Sequence, residues 1–140
     1  MMPTRPRLRA ALALAATLCA LPAMAQAEGP ELTFDLDGFA AIETTTDKAM
    51  RPLDLIATLP LTFPTHPDEE GRPAFSAHMI QNGKRLAAQV SETGYADDSV
   101  DGVVYRVLME KSGDGWTMTG LGRMWICRRG DQRYSQTACP

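Results

Sequence analysis

The sequence predicts an α+β fold, in which one main helix over residues 73–93 packs on a small antiparallel sheet and a disulfide closes the C-terminal loop. Three observations support this prediction. Helix-forming residues dominate 73–93, apolar and polar residues alternate in the C-terminal third, and two cysteines lie close together near the end of the chain. A helix packed on one face of consecutive antiparallel strands is a common layered arrangement.

The N-terminus has the three parts of a cleavable signal peptide. Three arginines within the first nine residues precede an apolar run over 10–21, and Ala23 and Ala25 form a small-residue cleavage site. The run is shorter than the roughly 20 residues that a membrane span needs. We expect residues 1–25 to be removed, with cleavage after Ala27 as the alternative, and the protein to reach a bacterial periplasm or the medium.

The remaining residues, 26–140, are enough for one small globular domain with a modest core. The whole chain has a net charge of −3, and the leader contains three arginines and no acid, so the exported domain carries −6. Proteins that bind nucleic acids or anionic membranes have the opposite balance. We therefore expect no nucleic acid as a partner, and no stable membrane insertion after the leader is removed.

Cysteine usage predicts one disulfide. Cys19 lies in the leader, which leaves Cys127 and Cys139 as an even pair in an oxidising compartment. Closing a loop of about 13 residues contributes on the order of 3 kcal/mol in a chain-entropy account. The spacing is not that of a Cys-x-x-Cys motif and no histidine lies nearby, so neither a redox nor a metal role is expected.

The N-terminal half of the domain has weaker patterns. Alternation over 32–36 predicts a half-buried strand that ends at Gly38. The apolar residues of 53–63 fall on one alternating face and favour an extended segment, with a short helix over 53–59 as the alternative. Residues 64–73 are rich in proline and acids, which predicts a surface loop.

The main helix is predicted over 73–93. Pro73 suits a first helical turn and Gly94 suits the position just past the last one. A stripe at helical spacing comprises Phe75, Met79, Leu86 and Val90. The dipeptide Asn82-Gly83 is also the strongest short signal for a hairpin turn. The residues around it are mostly poor strand formers, so the helix is preferred and a hairpin remains the alternative.

The strands of the C-terminal third have the clearest pattern. Alternation over 103–110 predicts a strand, residues 112–115 have the composition of a turn, and alternation resumes at Trp116. Residues 120–122, Gly-Leu-Gly, either bulge one long strand or turn into another. These elements predict an antiparallel meander of two or three strands.

No complete catalytic or metal-binding set is present in the sequence. The two histidines, His66 and His78, have no partner at triad or metal-ligand spacing. The acids of 35–37 and 97–101 lack the alternate spacing of calcium-binding loops. We expect no metal and no cofactor, and interpret both acidic clusters as solvated turns or helix N-termini.

The C-terminal tail is the predicted binding site, because arginines combined with aromatic residues give directional contacts at modest entropic cost. The candidate residues are Arg123, Trp125, Arg128, Arg129, Arg133 and Tyr134. We expect them to dock an acidic protein partner, a carboxylate ligand or an anionic envelope component. In the alternative interpretation, Trp116 and Trp125 are both part of the core, and the arginines pair with the acids of 97–101 or stay solvated.

The predicted function is that of a small exported, non-enzymatic binding module, such as an accessory or inhibitor protein of the cell envelope. One alternative is a small envelope hydrolase that uses His78 with Ser76 or a loop acid. That activity requires a cleft in which nucleophile and base lie within hydrogen-bond reach. The other alternative is a structural envelope protein with no site.

Overall fold

The computed structural model describes residues 29–44, 48–49, 51–61 and 74–140. The predicted signal peptide, the predicted loop over 64–73 and His66 lie outside these residues. The elements are β1 (Ala40–Ile42), β2 (Lys48–Ala49), α1 (Pro52–Ile56), β3 (Ala74–Asn82), β4 (Arg85–Thr93), β5 (Val100–Ser112), β6 (Gly115–Cys127) and β7 (Tyr134–Ser135). None of the helices in this part of the chain is long and apolar enough to cross a membrane.

The seven strands of the described residues form one antiparallel sheet around β6. Consecutive strands β3 to β6 pair with one another as a meander. On its other side, β6 pairs with the three short strands β1, β2 and β7, which follow one another along its length. Among the described strands, β3 therefore lies at one edge of the sheet, and the short strands share the opposite edge.

The predicted main helix over 73–93 is wrong, because these residues form the β3–β4 hairpin and the fold is mostly antiparallel sheet. Nine residue pairs hold the two strands in unbroken register from Ala74–Thr93 to Asn82–Arg85. The two-residue turn between them has Gly83 at φ +58°, which suits the first central position of a hairpin turn. The hairpin alternative is therefore the correct one, and the α+β class is replaced by a mainly β class.

The apolar stripe that suggested a helix fits the hairpin equally well. Residues four apart lie on one face of a strand as well as of a helix, so Phe75 with Met79 and Leu86 with Val90 satisfy both patterns. The remaining step, from Met79 to Leu86, spans the turn. Met79 pairs with Ala88 across the hairpin, so odd-numbered residues of β3 lie on the same face as even-numbered residues of β4. All four residues of the stripe therefore lie on one face.

One face of the sheet, here called the helix face, carries the larger core. Residues Leu55, Ile56 and Leu59, in and after α1, are buried against it. The sheet contributes Leu86, Ala88, Val90, Val103, Tyr105, Val107, Met109, Trp116, Met118 and Leu121. The extended segment predicted for 53–63 is wrong where α1 forms, and the short-helix alternative agrees. Pro52 explains the helix start, since proline suits the first helical turn.

The opposite face, here called the N-terminal face, is covered by residues 29–39. Its smaller buried cluster contains Phe39, Val104, Met124 and Ile126. The strand predicted over 32–36 is wrong, because these residues pair with no strand and cross this face. Their backbone carbonyls instead accept hydrogen bonds from a side chain of β5.

That side chain is Arg106, which is only 2% exposed. Its guanidinium donates hydrogen bonds to the carbonyl oxygens of Glu31 and Asp35, and Nη1 reaches Thr33 Oγ1 at 2.7 Å. It also lies 4.2 Å above the Phe39 ring. Burial lowers the pKa of the guanidinium while nearby acids oppose that effect, and an arginine stays protonated at neutral pH. A buried cation thus fixes the N-terminal segment to the sheet.

The C-terminal predictions are confirmed. Strand β5 contains the predicted 103–110, and residues 112–115 form the turn to β6. Strand β6 is continuous, with a register shift that leaves Thr119 as an extra residue, so the bulge alternative is correct. The disulfide between Cys127 and Cys139 is present, and it ties the end of β6 to the end of the chain.

Candidate functional site

The structure divides the predicted tail residues between the two faces of the sheet. Arg123 and Trp125 lie on the helix face, where the guanidinium stacks 4.6 Å above the indole ring. Tyr105 pairs with Arg123 in the neighbouring strand. Both tail residues are half-buried, and Trp125 packs on the edge of the larger core. This pair therefore belongs to a different surface from the rest of the tail.

Three tail arginines pair with the acids of residues 97–101. Arg128 lies 3.1 Å from an Asp101 oxygen, Arg129 lies 2.9 Å from Asp98, and Arg133 lies 3.7 Å from Asp101. This agrees with the alternative interpretation of these arginines. Exposed ion pairs of this kind contribute about 0–1 kcal/mol each, so they leave the side chains able to exchange partners.

The acidic turn has a structural explanation of its own. The Asp97 carboxylate accepts hydrogen bonds from the backbone N–H groups of Ser99 and Val100, both at 2.7 Å. These contacts hold the pKa of Asp97 below its ordinary value. Within the described residues, no group of three or more histidine, cysteine or acidic side chains is arranged to hold a metal ion. The turn interpretation of 97–101 thus agrees with the structure.

An open groove on the N-terminal face, here called the polar groove, brings two tail residues together with side chains from β3 and β4. It encloses about 480 Å³, within the usual range for small-molecule sites. Its polar lining consists of Ser76, His78, Gln89, Ser91, Thr93, Arg133 and Tyr134. The other lining residues are Gly29, Pro30, Leu32 and Ile126. The polar residues outnumber the others, seven to four.

The hairpin register explains why these side chains converge. Ser76 pairs with Ser91 and His78 pairs with Gln89, so all four point to the N-terminal face on neighbouring strands. A helix over the same residues would spread them around its circumference, so the predicted helix does not bring them together. The signal that identifies them is the glycine of Asn82-Gly83, because Gly83 begins the two-residue turn that sets the register.

The walls of the polar groove are fixed by contacts deeper in the fold. Gln89 donates a hydrogen bond to the Pro30 carbonyl at 2.9 Å and accepts one from Arg106 at 2.9 Å. Tyr134 packs against the smaller core cluster. The backbone carbonyl of Arg133 accepts a hydrogen bond from the Cys127 N–H at 2.7 Å, beside the disulfide. These contacts hold the site in place without using the Arg133 side chain.

Two hydroxyl groups in the polar groove pair with each other. Ser76 Oγ lies 2.6 Å from Ser91 Oγ, whereas no hydrogen bond between Ser76 and His78 occurs in the structure as described. The lining contains no acid that would orient His78 as a base. The arrangement has a nucleophile and a base in one cleft but not the hydrogen-bonded geometry of an activated serine.

Comparison with protein-family models, with curated proteins and with solved structures found no match. The chemistry of the site is therefore inferred from its own geometry.

Proposed function

We propose that the protein is a small exported, non-enzymatic binding module that holds a carboxylate-bearing ligand in the polar groove. The observation that supports this proposal best is the convergence of Arg133, Tyr134 and His78 on one cleft of about 480 Å³. Two of these residues come from the disulfide-closed tail and one comes from β3. The leader-like N-terminus and the disulfide support export.

A carboxylate suits the donors of the polar groove. The planar guanidinium of Arg133 offers two parallel N–H groups in the geometry that a carboxylate accepts. Its side chain is 54% exposed, and its 3.7 Å contact with Asp101 is long for an ion pair. The Tyr134 hydroxyl supplies a further donor, as does whichever of Ser76 and Ser91 accepts the hydrogen bond between them. A charged ligand therefore finds several donors on more than one wall.

The rest of such a ligand has an apolar surface to contact. Leu32, Pro30 and Ile126 line the same cleft as Arg133. Small-ligand sites combine apolar contacts with convergent polar groups, and in the polar groove the polar residues are the majority. The exported domain is acidic overall and therefore repels anions. The Arg133 guanidinium supplies the local positive charge that a bound carboxylate needs.

Titration of the disulfide-bonded protein with succinate, followed by two-dimensional NMR, tests the proposal. We expect amide shifts at Ser76, Ser91 and Tyr134, and none with the neutral analogue succinamide. Arg133→Gln should weaken succinate binding about tenfold or more, since a charged hydrogen-bonded contact is lost. Arg129→Gln is the matched control, because Arg129 is on the same loop and is also ion-paired but does not line the groove.

Two results would contradict carboxylate binding in the polar groove. The first is an equal response to succinate and succinamide. The second is equal weakening by Arg133→Gln and Arg129→Gln. A protein that shows no shift with either probe would favour the structural alternative.

A second candidate function is hydrolysis, because Ser76, Ser91 and His78 share one cleft and the two serine oxygens are 2.6 Å apart. A simple activated ester such as p-nitrophenyl acetate serves as the probe. Turnover that disappears in both Ser76→Ala and His78→Ala, but persists in Gln81→Ala, would replace the binding proposal. Turnover unaffected by His78→Ala would exclude this serine–histidine mechanism.

A further inference from the structure

The polar groove is elongated, and strand β4 forms its floor. Gln89, Ser91 and Thr93 line the groove and follow one another along β4 on the N-terminal face. Gln89 and Thr93 are four residues apart, which is about 13 Å along an extended strand. The floor is therefore longer than a small diacid such as succinate.

Arg133 lies at the Thr93 end of this floor. Thr93 pairs with Gly102 of β5, and the Arg133 guanidinium lies 3.7 Å from the carboxylate of the adjacent Asp101. The neighbouring residue Tyr134 also lines the groove. Because an arginine stays protonated in proteins, this end of the groove carries a permanent positive charge.

His78 lies at the other end of the floor, since it pairs with Gln89 across the hairpin. The Gln89 amide is already engaged, because it donates to the Pro30 carbonyl and accepts from Arg106. In the described part of the chain, the His78 ring has neither a hydrogen bond nor an ion pair. Both of its nitrogens can therefore contact a ligand.

The other charged groups on this part of the face belong to β4, β5 and the N-terminal segment. They are Arg85, Arg106, Glu31, Asp35 and Asp37. The three acids act on the Arg106 guanidinium and oppose the effect of burial on its pKa. None of these described acids forms an ion pair with His78. A proton taken up by His78 therefore adds a positive charge that a ligand can use.

We propose that the polar groove holds an elongated dianionic ligand, with one carboxylate on Arg133 and the other on protonated His78, and that binding strengthens as the pH falls. This inference rests on the carboxylate binding proposed above. It adds the length of the ligand and its second charge.

The middle of the groove suits an uncharged chain between the two carboxylates. Pro30, Leu32 and Ile126 give it apolar contacts. The Ser76 and Ser91 hydroxyls in this region bond to each other. A methylene chain in this position therefore leaves both charged ends of the ligand at the two cations.

Calorimetric titration of the disulfide-bonded protein with sebacate tests the proposal, because this dicarboxylate is about as long as the groove floor when extended. At pH 6, sebacate should bind about tenfold more tightly than its monoamide, which keeps the chain but has only one carboxylate. From pH 6 to pH 8 the affinity for sebacate should fall at least about fivefold, because histidine side chains lose their proton in this range. The affinity for the monoamide should not change.

Two variants separate the charge of His78 from its packing. His78→Gln should lower the affinity for sebacate at pH 6 to that of the monoamide and remove the pH dependence. His78→Lys should bind sebacate tightly at both pH values, because an ammonium group stays charged. Position 78 is exposed, and circular dichroism checks that both variants keep the sheet.

The outcomes distinguish this inference from the function on which it rests. Equal binding of sebacate and its monoamide at pH 6, with both weakened by Arg133→Gln, would overturn the inference and leave carboxylate binding in place. A pH dependence that persists in His78→Gln would also overturn the inference. Absence of binding by sebacate, its monoamide and succinate would overturn both proposals.

Discussion

Arg106 Nη1 donates a hydrogen bond of 2.7 Å to Thr33 Oγ1, and this contact joins the middle of β5 to the segment that covers the N-terminal face. The same guanidinium bonds to Gln89, which lines the polar groove. The buried cation is thus shared by the fold and the candidate site. Changes at Arg106 are expected to affect both.

Arg106→Ala should lower the free energy of unfolding by about 3 kcal/mol, because it leaves a cavity and removes several charged hydrogen bonds. Urea denaturation measures the effect. Arg85→Ala is the control, since Arg85 also donates to this segment, at Phe34 O and 2.9 Å, but from an exposed position. Its cost should stay near or below about 1 kcal/mol. Equal costs would show that burial of Arg106 adds nothing.

Replacing both Cys127 and Cys139 by serine should cost about 3 kcal/mol, since the crosslink restricts the unfolded chain over a short loop. Urea denaturation of the two proteins with and without reductant gives the measurement. Reductant should lower the stability of the natural protein to that of the double variant. It should leave the double variant unchanged. An effect of reductant on the double variant would assign the loss to another cause.

Asp97→Ala should lower the melting temperature at pH 7, because two backbone hydrogen bonds in the acidic turn are lost. The pKa of Asp97 is lower in the folded chain, so its contribution is present above the unfolded-state pKa of about 4. The contribution is lost as the pH falls further, because the unfolded chain takes up the proton first.

Thermal unfolding at pH 7 and in acid measures this dependence. The difference between the natural protein and Asp97→Ala should shrink as the pH falls below about 4. Asp131→Ala, at an exposed acid of the disulfide loop, is the control and should show a smaller difference at pH 7. A difference that grows in acid would contradict the assigned role of Asp97.

Gly102→Ala should destabilise the protein by about 2–3 kcal/mol or prevent folding, because the added methyl group would lie 2.0 Å from the Glu92 carbonyl oxygen. Gly102 pairs with Thr93 at the end of the β4–β5 ladder, so the clash is with backbone. Gly120→Ala is the control, since its methyl group would meet only side-chain atoms, of Leu108 at 3.2 Å and of Leu36 at 3.4 Å. Denaturant unfolding of both variants should rank them in that order.

The sequence predicted the elements that are determined locally. The turn at 112–115 and the strand over 103–110 follow from composition and alternation, and the disulfide follows from the count of cysteines. Residues 73–93 were ambiguous because their apolar spacing fits a helix and a hairpin alike. In the sequence, the helix-forming residues around Asn82-Gly83 favour a helix over a turn. In the structure, pairing of β4 with β5 favours the hairpin.

The candidate site was predictable only in part. Composition pointed to Arg133 and Tyr134, whereas the contributions of Ser76 and His78 depend on hairpin register. The burial of Arg106 does not follow from the sequence pattern, because alternation assigns this residue to the solvent side of β5. Its neighbours on that side, Val104 and Leu108, are apolar, which is the signal that the second face is also covered.

The position of β6 at the centre of the sheet constrains the order in which the chain can assemble. Among the described strands, β1 and β2 pair only with β6, so they cannot dock until residues 115–127 have been made. The hairpin β3–β4 can form earlier from neighbouring residues. The sheet therefore stays incomplete until β6 has been made, and refolding should be slow, on the order of milliseconds to seconds, as for other sheets with distant pairings.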